Sequence, residues 1–231
     1  MFGFAIHPRS DAASQDLLDR FRPIPVANIS DVMSRMTAGG ARLRPMHDGS
    51  PMIGVAVTVK TRPGDNLMIH HAMDISGEGD IIVVDAGGDL TNSLMGEMMM
   101  NYAASRGISG FVLDGAIRDA DVIRQGAMPI FAAGVTHRGP YKTGPGEINC
   151  PIAIDGMVVQ PGDIIMGDAD GVLCIPLAHA EAILIAAEEK CAAEERTRIA
   201  IREGRLNRAW VREGLIAGGC ILPDQQVRAA E

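Results

Sequence analysis

The chain has 231 residues, of which 47% are hydrophobic and 22% are charged, as in ordinary globular proteins and unlike disordered ones. Its net charge of −8 has the wrong sign for attraction to a phosphate backbone. Aromatic residues make up only 3% of the chain, so few side chains are available to stack on bases. These values argue against a dedicated nucleic-acid-binding protein, and we expect no nucleic-acid partner.

Four cysteines stand singly in the chain, without a CxxC pair, which is typical of free thiols in a reducing compartment. The N-terminal residues lack the basic start and long apolar run of a secretory signal. No apolar stretch approaches the ~18 residues of a membrane-spanning helix. We therefore expect a cytoplasmic protein with no membrane partner.

The first third of the chain predicts two helices, then a strand, then a helix. Residues 10–36 indicate two short helices, with Asn28 and Ser30 as candidate N-caps of the second. A β-branched run at 52–59 predicts a strand, and residues 65–76 predict a helix. This succession is typical of an α/β fold.

Two short apolar segments, 81–85 and 111–114, predict parallel strands that are buried on both faces. Each ends in an aspartate and opens into a glycine turn. A helix predicted at 92–105 joins them into a right-handed βαβ unit. A short helix near 119–126 and a strand at 129–133 extend the pattern.

From residue 150 onward, short apolar strands alternate with tight turns. Asp-Gly and Pro-Gly pairs at 155–156, 161–162 and 170–171 predict a meander of hairpins. Residues 177–203 predict one long amphipathic helix, and 204–231 an extension that covers the surface or a neighbour. Since no repeat or linker interrupts the chain, we predict a single domain, 1–231, with its core at about 25–200.

Candidate functional residues gather beyond two strand ends, where parallel sheets bind their ligands. Asp85 and Asp114 end neighbouring predicted strands, and the helix between those strands begins at the same edge. Glu97 lies early in that helix, and Arg118 and Asp119 follow the second strand. Carboxylates, a cation and a helix N-terminus suit an acidic small molecule with Mg²⁺ or Mn²⁺. The alternative is an ordinary Arg-Asp pair at a helix start, with Asp119 as an N-cap.

Three segments of the chain resemble the RraA-like family. They are Asp85-Ala-Gly-Gly, then Gly96-Glu97 followed by Gly-Ile-Ser-Gly-Phe-Val-Leu-Asp-Gly-Ala-Ile-Arg118-Asp119, and finally residues 159–172. The resemblance covers about residues 25–200, and its most specific element is the acidic residue, 20 further residues, then Arg-Asp. It implies an α/β/β/α sandwich with a mixed central sheet, of the phosphohistidine-swivelling-domain type, ending in a long C-terminal helix.

The family includes class II 4-hydroxy-4-methyl-2-oxoglutarate and 4-carboxy-4-hydroxy-2-oxoadipate aldolases, and this resemblance implies roles for single residues. Asp119 would ligate the metal, and Arg118 would bind the pyruvyl carboxylate and the enolate oxygen. The backbone amides of Gly96, Glu97, Met98 and Met99 would complete the pyruvate site. Glu97 stands where the aldolases often have aspartate, and a water held by it would take the proton of the 4-hydroxyl group.

The family also closes its site with an acid from an adjoining subunit, on the long C-terminal helix. Glu194 and Glu195 are both candidates, and the sequence does not choose between them. The alternative for both is a solvated charged face shared with Glu188 and Glu189. From the resemblance we expect a homo-oligomer, either a trimer or a hexamer.

The predicted function is therefore that of a divalent-metal-dependent class II aldolase. It would cleave a 4-hydroxy-2-oxo acid to pyruvate and a second oxo acid, with oxaloacetate decarboxylase side activity through the same pyruvate enolate. The alternatives are a non-catalytic regulator that binds a ribonuclease, and a paralogue acting on another hydroxy-oxo acid or its lactone. Regulators of the family tend to lack the acid after the arginine, so Asp119 favours the enzyme. Residues 137–149 are expected to form the specificity rim, and His70 and His71 to have structural roles.

Overall fold

The computed structural model describes residues 3–9, 11–37 and 39–222. It divides the chain into two compact units, Met1–Glu188 and Glu189–Glu231. The prediction of a single domain, with a core at about 25–200, stays a prediction.

The predicted strands and helices occur in the predicted order, and the structure adds β1, β2, β7 and α7, which the sequence did not predict. The strands are β1 (Phe4–Ile6), β2 (Arg44–Pro45), β3 (Met52–Thr61), β4 (Asp80–Met95), β5 (Gly110–Ile117), β6 (Ile130–Val135), β7 (Gly146–Ile148), β8 (Ile152–Ile154), β9 (Met157–Val159), β10 (Ile164–Asp168) and β11 (Gly171–Ile175). The helices are α1 (Gln15–Phe21), α2 (Val26–Val32), α3 (Leu67–Ile75), α4 (Glu97–Ser105), α5 (Ala120–Gln125), α6 (Ala180–Arg202) and α7 (Ala209–Ala217).

A mixed sheet of nine strands organises the described part of the first unit. Its main path is β1-β7-β3-β4-β5-β6-β2, with β10 beside β3 and β11 beside β10. The central strands β3, β4, β5 and β6 are parallel to one another, whereas β10 pairs antiparallel with β3, and β11 pairs antiparallel with β10. The β8–β9 hairpin forms a separate two-stranded sheet. A mixed α/β fold with a long C-terminal helix is thus confirmed.

The core has two apolar layers because β4 is buried on both faces. Ile82 and Val84 belong to the cluster that includes side chains of α3 and α4. Ile81 and Val83, pointing the other way, belong to the cluster that includes β8 and β9. All four are fully buried, and burial of each aliphatic side chain stabilises the fold by about 1.5–3 kcal/mol.

Both central strands run further than the sequence predicts. Gly87 and Gly88, expected to form a turn, lie inside β4 with φ of +68° and +70°. Register shifts beyond Asp85 carry β4 on to Met95, as β-bulges do, so the following helix begins at Glu97 rather than near residue 92. The β5 strand likewise continues past the predicted glycine turn. The strand ends that form the candidate site therefore lie further along the chain than predicted.

The predicted caps of the second helix are wrong. Asn28 and Ser30 lie inside α2, which begins at Val26 after Pro25. The carboxylate of Asp168 accepts the Val26 N–H at 3.0 Å, so a residue 142 positions away satisfies the first turn. No local sequence pattern predicts such a contact.

The long C-terminal helix is confirmed as α6, although its apolar side is less buried than expected. Leu184 and Ala187 are buried, whereas Ile183, Cys191 and Ile199 remain partly exposed. Among the described residues, no helix combines the length and the apolar character that a bilayer span requires.

Candidate active site

The candidate site begins where β4 ends and α4 starts. Gly96 precedes the helix in an extended conformation, with φ of −154° and ψ of −164°. Met100 is the first residue whose N–H bonds within the helix, to the Gly96 carbonyl at 3.1 Å. The N–H groups of Met98 and Met99 therefore have no acceptor inside α4. A helix start of this kind favours a carboxylate or phosphate ligand.

Asp119 reaches this helix start from the end of β5. Its backbone is left-handed, with φ of +58°, a conformation that aspartate adopts more readily than most residues. One carboxylate oxygen, Oδ2, accepts the Glu97 N–H at 3.0 Å and lies 3.7 Å from Nε of Arg118. Asp119 occupies the N-cap position of α5, but its side chain does not cap that helix. The carboxylate instead joins Arg118 to the start of α4.

The closeness of the two chain segments requires glycine at position 96. A Cβ added to Gly96 would collide with the Asp119 carboxylate and lie 2.9 Å from Cγ of Arg118. Since the backbone of Gly96 is extended, any residue could adopt it, and only the side chain is excluded. Gly96 thus permits Arg118 and Asp119 to contact the helix start.

A pocket of about 230 Å³ opens beside this cluster. Its lining residues are Asn66, His70, Met95, Gly96, Met98, Met99, Arg118, Pro140 and Lys142. Four predicted site residues therefore line the pocket, while Glu97 and Asp119 adjoin it through their mutual hydrogen bond.

Two polar residues of the pocket wall, Asn66 and His70, were not assigned to the site from the sequence. A third, Lys142, lies within the predicted rim, 137–149. His70 was expected to be structural, but it lines this pocket, whereas His71 lies in a separate apolar pocket. Burial and the charge of Lys142 lower the pKa of His70, although the Asp74 carboxylate opposes the shift, and this direction favours the neutral imidazole.

Asn66 is held rigidly at the pocket wall. Its amide nitrogen donates to the Leu94 carbonyl at 2.9 Å, which determines the orientation of the amide group. Oδ1 of Asn66 is buried without a hydrogen-bond partner in the described structure. Asn66 is 1% exposed, so its amide is a preorganised part of the wall.

Asp65 ties the loop that carries Lys142 to the start of α3. Its buried carboxylate accepts N–H groups of Leu67 at 2.9 Å, Thr143 at 2.8 Å and Gly144 at 2.9 Å. Burial by itself would raise the pKa of Asp65, but these hydrogen bonds and the nearby charge of Arg62 outweigh it and lower the pKa. The Lys142 loop is therefore anchored by an ionised carboxylate.

The two aspartates that were expected to mark the crevice lie elsewhere. Asp85 and Asp114 face each other in register across β4 and β5, but neither lines the pocket. Oδ2 of Asp85 is 3.7 Å from Nζ of Lys60, and Oδ1 of Asp114 is 2.8 Å from Nη2 of Arg42. Burial raises the pKa of Asp114, although the Arg42 guanidinium opposes the shift. The glycine bulges explain the error because they carry both strands beyond these residues.

The donor set suits a metal that keeps most of its water. Within the described part of the chain, no group of three or more His, Cys, Asp or Glu side chains is arranged to hold a metal ion. Asp119 is nevertheless 39% exposed beside the pocket, where the backbone N–H of Glu97 donates to it. Mg²⁺ typically binds through one or two carboxylates and several waters, so the Asp119 carboxylate fits it.

Glu194 and Glu195, the two candidates for an acid donated across subunits, both form ion pairs on their own helix. Glu194 lies 3.4 Å from Lys190 and 3.4 Å from Arg198, and Glu195 lies 3.1 Å from Arg198. These contacts do not distinguish the two residues, and the donated acid stays a prediction.

Comparison with known proteins identifies the family. A family model named RraA-like, described as Aldolase/RraA, matches residues 26–174. The chain belongs to the RraA-like family. A relative from Halalkalibacterium halodurans, named "Putative 4-hydroxy-4-methyl-2-oxoglutarate aldolase", is 40% identical over 191 residues, which cover 83% of this chain and 91% of that protein.

Solved structures of this RraA-like fold resemble the chain closely. An uncharacterised protein from Pseudomonas syringae pv. tomato matches 84% of this chain and 96% of its own, with a TM-score of 0.76 and 26% identity. The RNA-processing inhibitor RraA from Thermus thermophilis matches 66% of this chain and 92% of its own, with a TM-score of 0.61 and 27% identity. The predicted family is therefore confirmed, and its members bear the names of both aldolases and regulators.

Proposed function

We propose that this RraA-like protein is a divalent-metal-dependent class II aldolase, which cleaves a 4-hydroxy-2-oxo acid to pyruvate and a second oxo acid. One observation supports this proposal above all. The Asp119 carboxylate accepts the Glu97 N–H while it also lies beside Arg118, which lines the pocket. The name of the H. halodurans relative supports the same reaction class.

Arg118 and the start of α4 would bind the pyruvyl part of the substrate. The guanidinium presents a planar fork that can hold a carboxylate by two hydrogen bonds. The N–H groups of Met98 and Met99 offer two more donors at the positive end of the helix. As the carbon–carbon bond breaks, negative charge grows on the 2-oxo oxygen, and a preorganised Arg118 stabilises that charge. Oxaloacetate decarboxylation develops the same charge, so we propose it as a side activity.

Asp119 would hold the metal, with Glu97 adjacent to it. When bound, Mg²⁺ or Mn²⁺ acts as a Lewis acid that polarises the 2-oxo group. The backbone N–H of Glu97 donates to Asp119, and we propose that the Glu97 carboxylate accepts the proton of the 4-hydroxyl group through a water.

The far wall of the pocket supports a substrate with a second carboxylate. Lys142 and Arg118 both line the pocket, and no carboxylate is among its described lining residues. Arg118 and Lys142 thus bring two positive charges to the pocket, one for the pyruvyl carboxylate and one for a second carboxylate. The substrate class that we propose is therefore a 4-hydroxy-2-oxo diacid.

The test is pyruvate release, coupled to lactate dehydrogenase, from hydroxy-oxo diacids and from a monoacid of equal length. We expect turnover with Mg²⁺ or Mn²⁺ and its loss with a chelator. Lys142→Met should raise KM for the diacid at least tenfold and leave KM for the monoacid unchanged. Lys60→Met is the matched control, because Lys60 faces Asp85 outside the pocket. Absence of pyruvate from every substrate with either metal would refute the proposal.

A second candidate function, regulation of a ribonuclease by protein binding, rests on the similarity to the T. thermophilis RNA-processing inhibitor. The discriminating measurement is ribonuclease inhibition by the purified chain, in parallel with pyruvate release. Inhibition without any pyruvate release would favour the regulator. Asp119, which follows Arg118 in the aldolase pattern, supports the enzyme. We also propose a trimer or hexamer, which sedimentation would distinguish from a 24.5 kDa monomer.

A further inference from the structure

One face of α3 runs from the candidate pocket to the protein surface. Asn66, His70 and Asp74 follow one another at intervals of four residues, which places them on the same side of the helix. Asn66 and His70 line the pocket, whereas Asp74 is exposed. The next residue, His71, lines a separate apolar pocket. The helix therefore brings one imidazole, that of His70, into the wall that also carries Arg118.

His70 is the one described lining residue whose side-chain type titrates near neutral pH. An arginine stays protonated in proteins, and a lysine ordinarily releases its proton only at about pH 10.4. Amide and thioether side chains do not exchange protons in this range. Imidazole both accepts and donates a proton, so His70 is the lining residue that can exchange one with a bound molecule.

The charges around His70 suit a group that alternates between its neutral and protonated forms. Burial and the charge of Lys142 lower the pKa of His70, which favours the neutral base. The Asp74 carboxylate, which accepts the hydroxyl of Tyr102 at 2.7 Å, acts in the opposite direction and stabilises the imidazolium. Arg118 is the other charged residue of the described lining.

The proposed cleavage requires proton transfer at a carbon atom as well as at the 4-hydroxyl group. When the bond between C3 and C4 breaks, its electron pair stays with C3 and forms the enolate of pyruvate. Pyruvate is complete only after C3 has taken up a proton, and decarboxylation of oxaloacetate leaves the same enolate. Glu97, the proposed acceptor for the 4-hydroxyl proton, is not among the lining residues. His70 is the lining residue that can supply the proton to C3.

We propose that His70 is a catalytic acid and base at C3 of the pyruvyl group. This role rests on the proposed function, because it requires a pyruvyl group bound beside Arg118. In cleavage, the imidazolium gives its proton to C3, where the enolate electrons form the new carbon–hydrogen bond and the 2-oxo group is restored. The proton of the 4-hydroxyl group passes through Glu97 to water, and His70 regains a proton from water. In the reverse step, neutral His70 removes a proton from C3 of pyruvate.

The reverse step can be measured without any carbon–carbon cleavage, as exchange of the methyl protons of pyruvate in D₂O followed by NMR. We expect exchange by the wild type with Mg²⁺, and a loss of roughly 10²-fold or more in His70→Gln, as for other missing general bases. His71→Gln is the matched control on the same helix and should keep the wild-type rate. Oxalate, a planar analogue of the enolate, should bind His70→Gln near the wild-type affinity in calorimetry with Mg²⁺. His70→Asn replaces His70→Gln if that variant does not fold.

The pH dependence of the exchange identifies the imidazole. Exchange uses neutral His70, so its rate should rise with pH through the pKa of His70, which lies below the ordinary value of about 6.5. Asp74→Asn should move the midpoint to lower pH, because it removes the charge that raises this pKa, and Lys142→Met should move it to higher pH.

The outcomes separate this role from the proposed function. Wild-type exchange by His70→Gln, midpoints that do not move in the two charge variants, loss of oxalate binding in His70→Gln, or no exchange by the wild type would each overturn the role of His70. Pyruvate exchange by the wild type, without pyruvate release from any hydroxy-oxo acid, would refute the proposed cleavage and leave His70 as the acid and base at C3.

Discussion

Replacing Gly96 with alanine tests whether the close approach of α4 to Asp119 creates the site. The extended backbone of Gly96 suits alanine without strain. The new Cβ, however, would collide with Oδ2 of Asp119 and lie 2.9 Å from Cγ of Arg118 and 3.1 Å from Cγ of Asp119. The steric cost therefore falls on the two side chains that we assign to the reaction.

These distances determine how far Gly96→Ala displaces the Asp119 carboxylate and how much activity it costs. Ordinary contacts begin at 3.4 Å, so the two carbon contacts are 0.5 and 0.3 Å too short, and the contact with the carboxylate oxygen is shorter still. We expect the Asp119 carboxylate to move by about 1 Å, a displacement that costs about 10²-fold in rate. Because the Asp119 side chain is 39% exposed, it can move toward solvent, and the loss of stability should stay near the lower end of about 1–3 kcal/mol.

The assay combines coupled pyruvate release, which gives kcat and KM, with urea unfolding. Gly77→Ala is the matched control, because the nearest heavy atom to its added Cβ is 3.6 Å away and its φ is not positive. The control should keep the wild-type kcat/KM. If Gly96→Ala also kept the wild-type kcat/KM, with an unchanged metal requirement, the contact between Asp119 and the helix start would not be needed for turnover.

Three further substitutions test the site. Asp119→Asn should abolish metal-dependent turnover, because it removes the ionised metal ligand, and its urea unfolding should stay near that of the wild type. Unchanged turnover with Mg²⁺ would contradict the assignment of Asp119 as the metal ligand. Arg118→Lys should lower kcat by roughly 10²–10³-fold and raise KM, because a point charge replaces the planar fork of the guanidinium. The same loss should appear in aldol cleavage and in oxaloacetate decarboxylation. An effect on KM alone would make Arg118 only a substrate anchor. Asp65→Asn should lower the free energy of unfolding by about 1–3 kcal/mol at neutral pH, measured by urea unfolding across a pH series. The folded-state pKa of Asp65 is lowered, so the ionised carboxylate stabilises the fold above the unfolded pKa of about 3.9, and this stabilisation is lost as pH falls through the folded pKa. The free energies of unfolding of wild type and Asp65→Asn should therefore converge in acid. A difference that stays constant with pH would contradict the ionisation of Asp65.

Much of the candidate site was predictable because it depends on short-range features of the chain. Arg118 and Asp119 follow a buried apolar strand, and Glu97 lies in the first turn of a helix on the same sheet edge. The parallel order of the strands brings these segments together, as expected for a βαβ unit. The left-handed backbone of Asp119 was not predictable, yet it directs the carboxylate to α4 rather than α5.

The glycines were the main source of error. Gly87 and Gly115 were predicted to form turns, because glycine permits conformations that end a strand. In the structure, both lie within strands whose hydrogen-bonded neighbours continue past them. Glycine is equally compatible with a turn and with a bulge, and only the neighbouring strand decides which one forms.

The sequence by itself determined the central βαβ order, the buried central strands and the Arg-Asp pair beyond β5, because apolar periodicity and residue chemistry act over a few positions. Only the tertiary structure decided that Asn66, His70 and Lys142 share one pocket with Arg118. These residues come from segments far apart in the chain, and the buried Asp65 joins two of those segments through backbone N–H groups. Such hydrogen bonds leave no pattern in the sequence, because any residue type can supply the N–H group except proline.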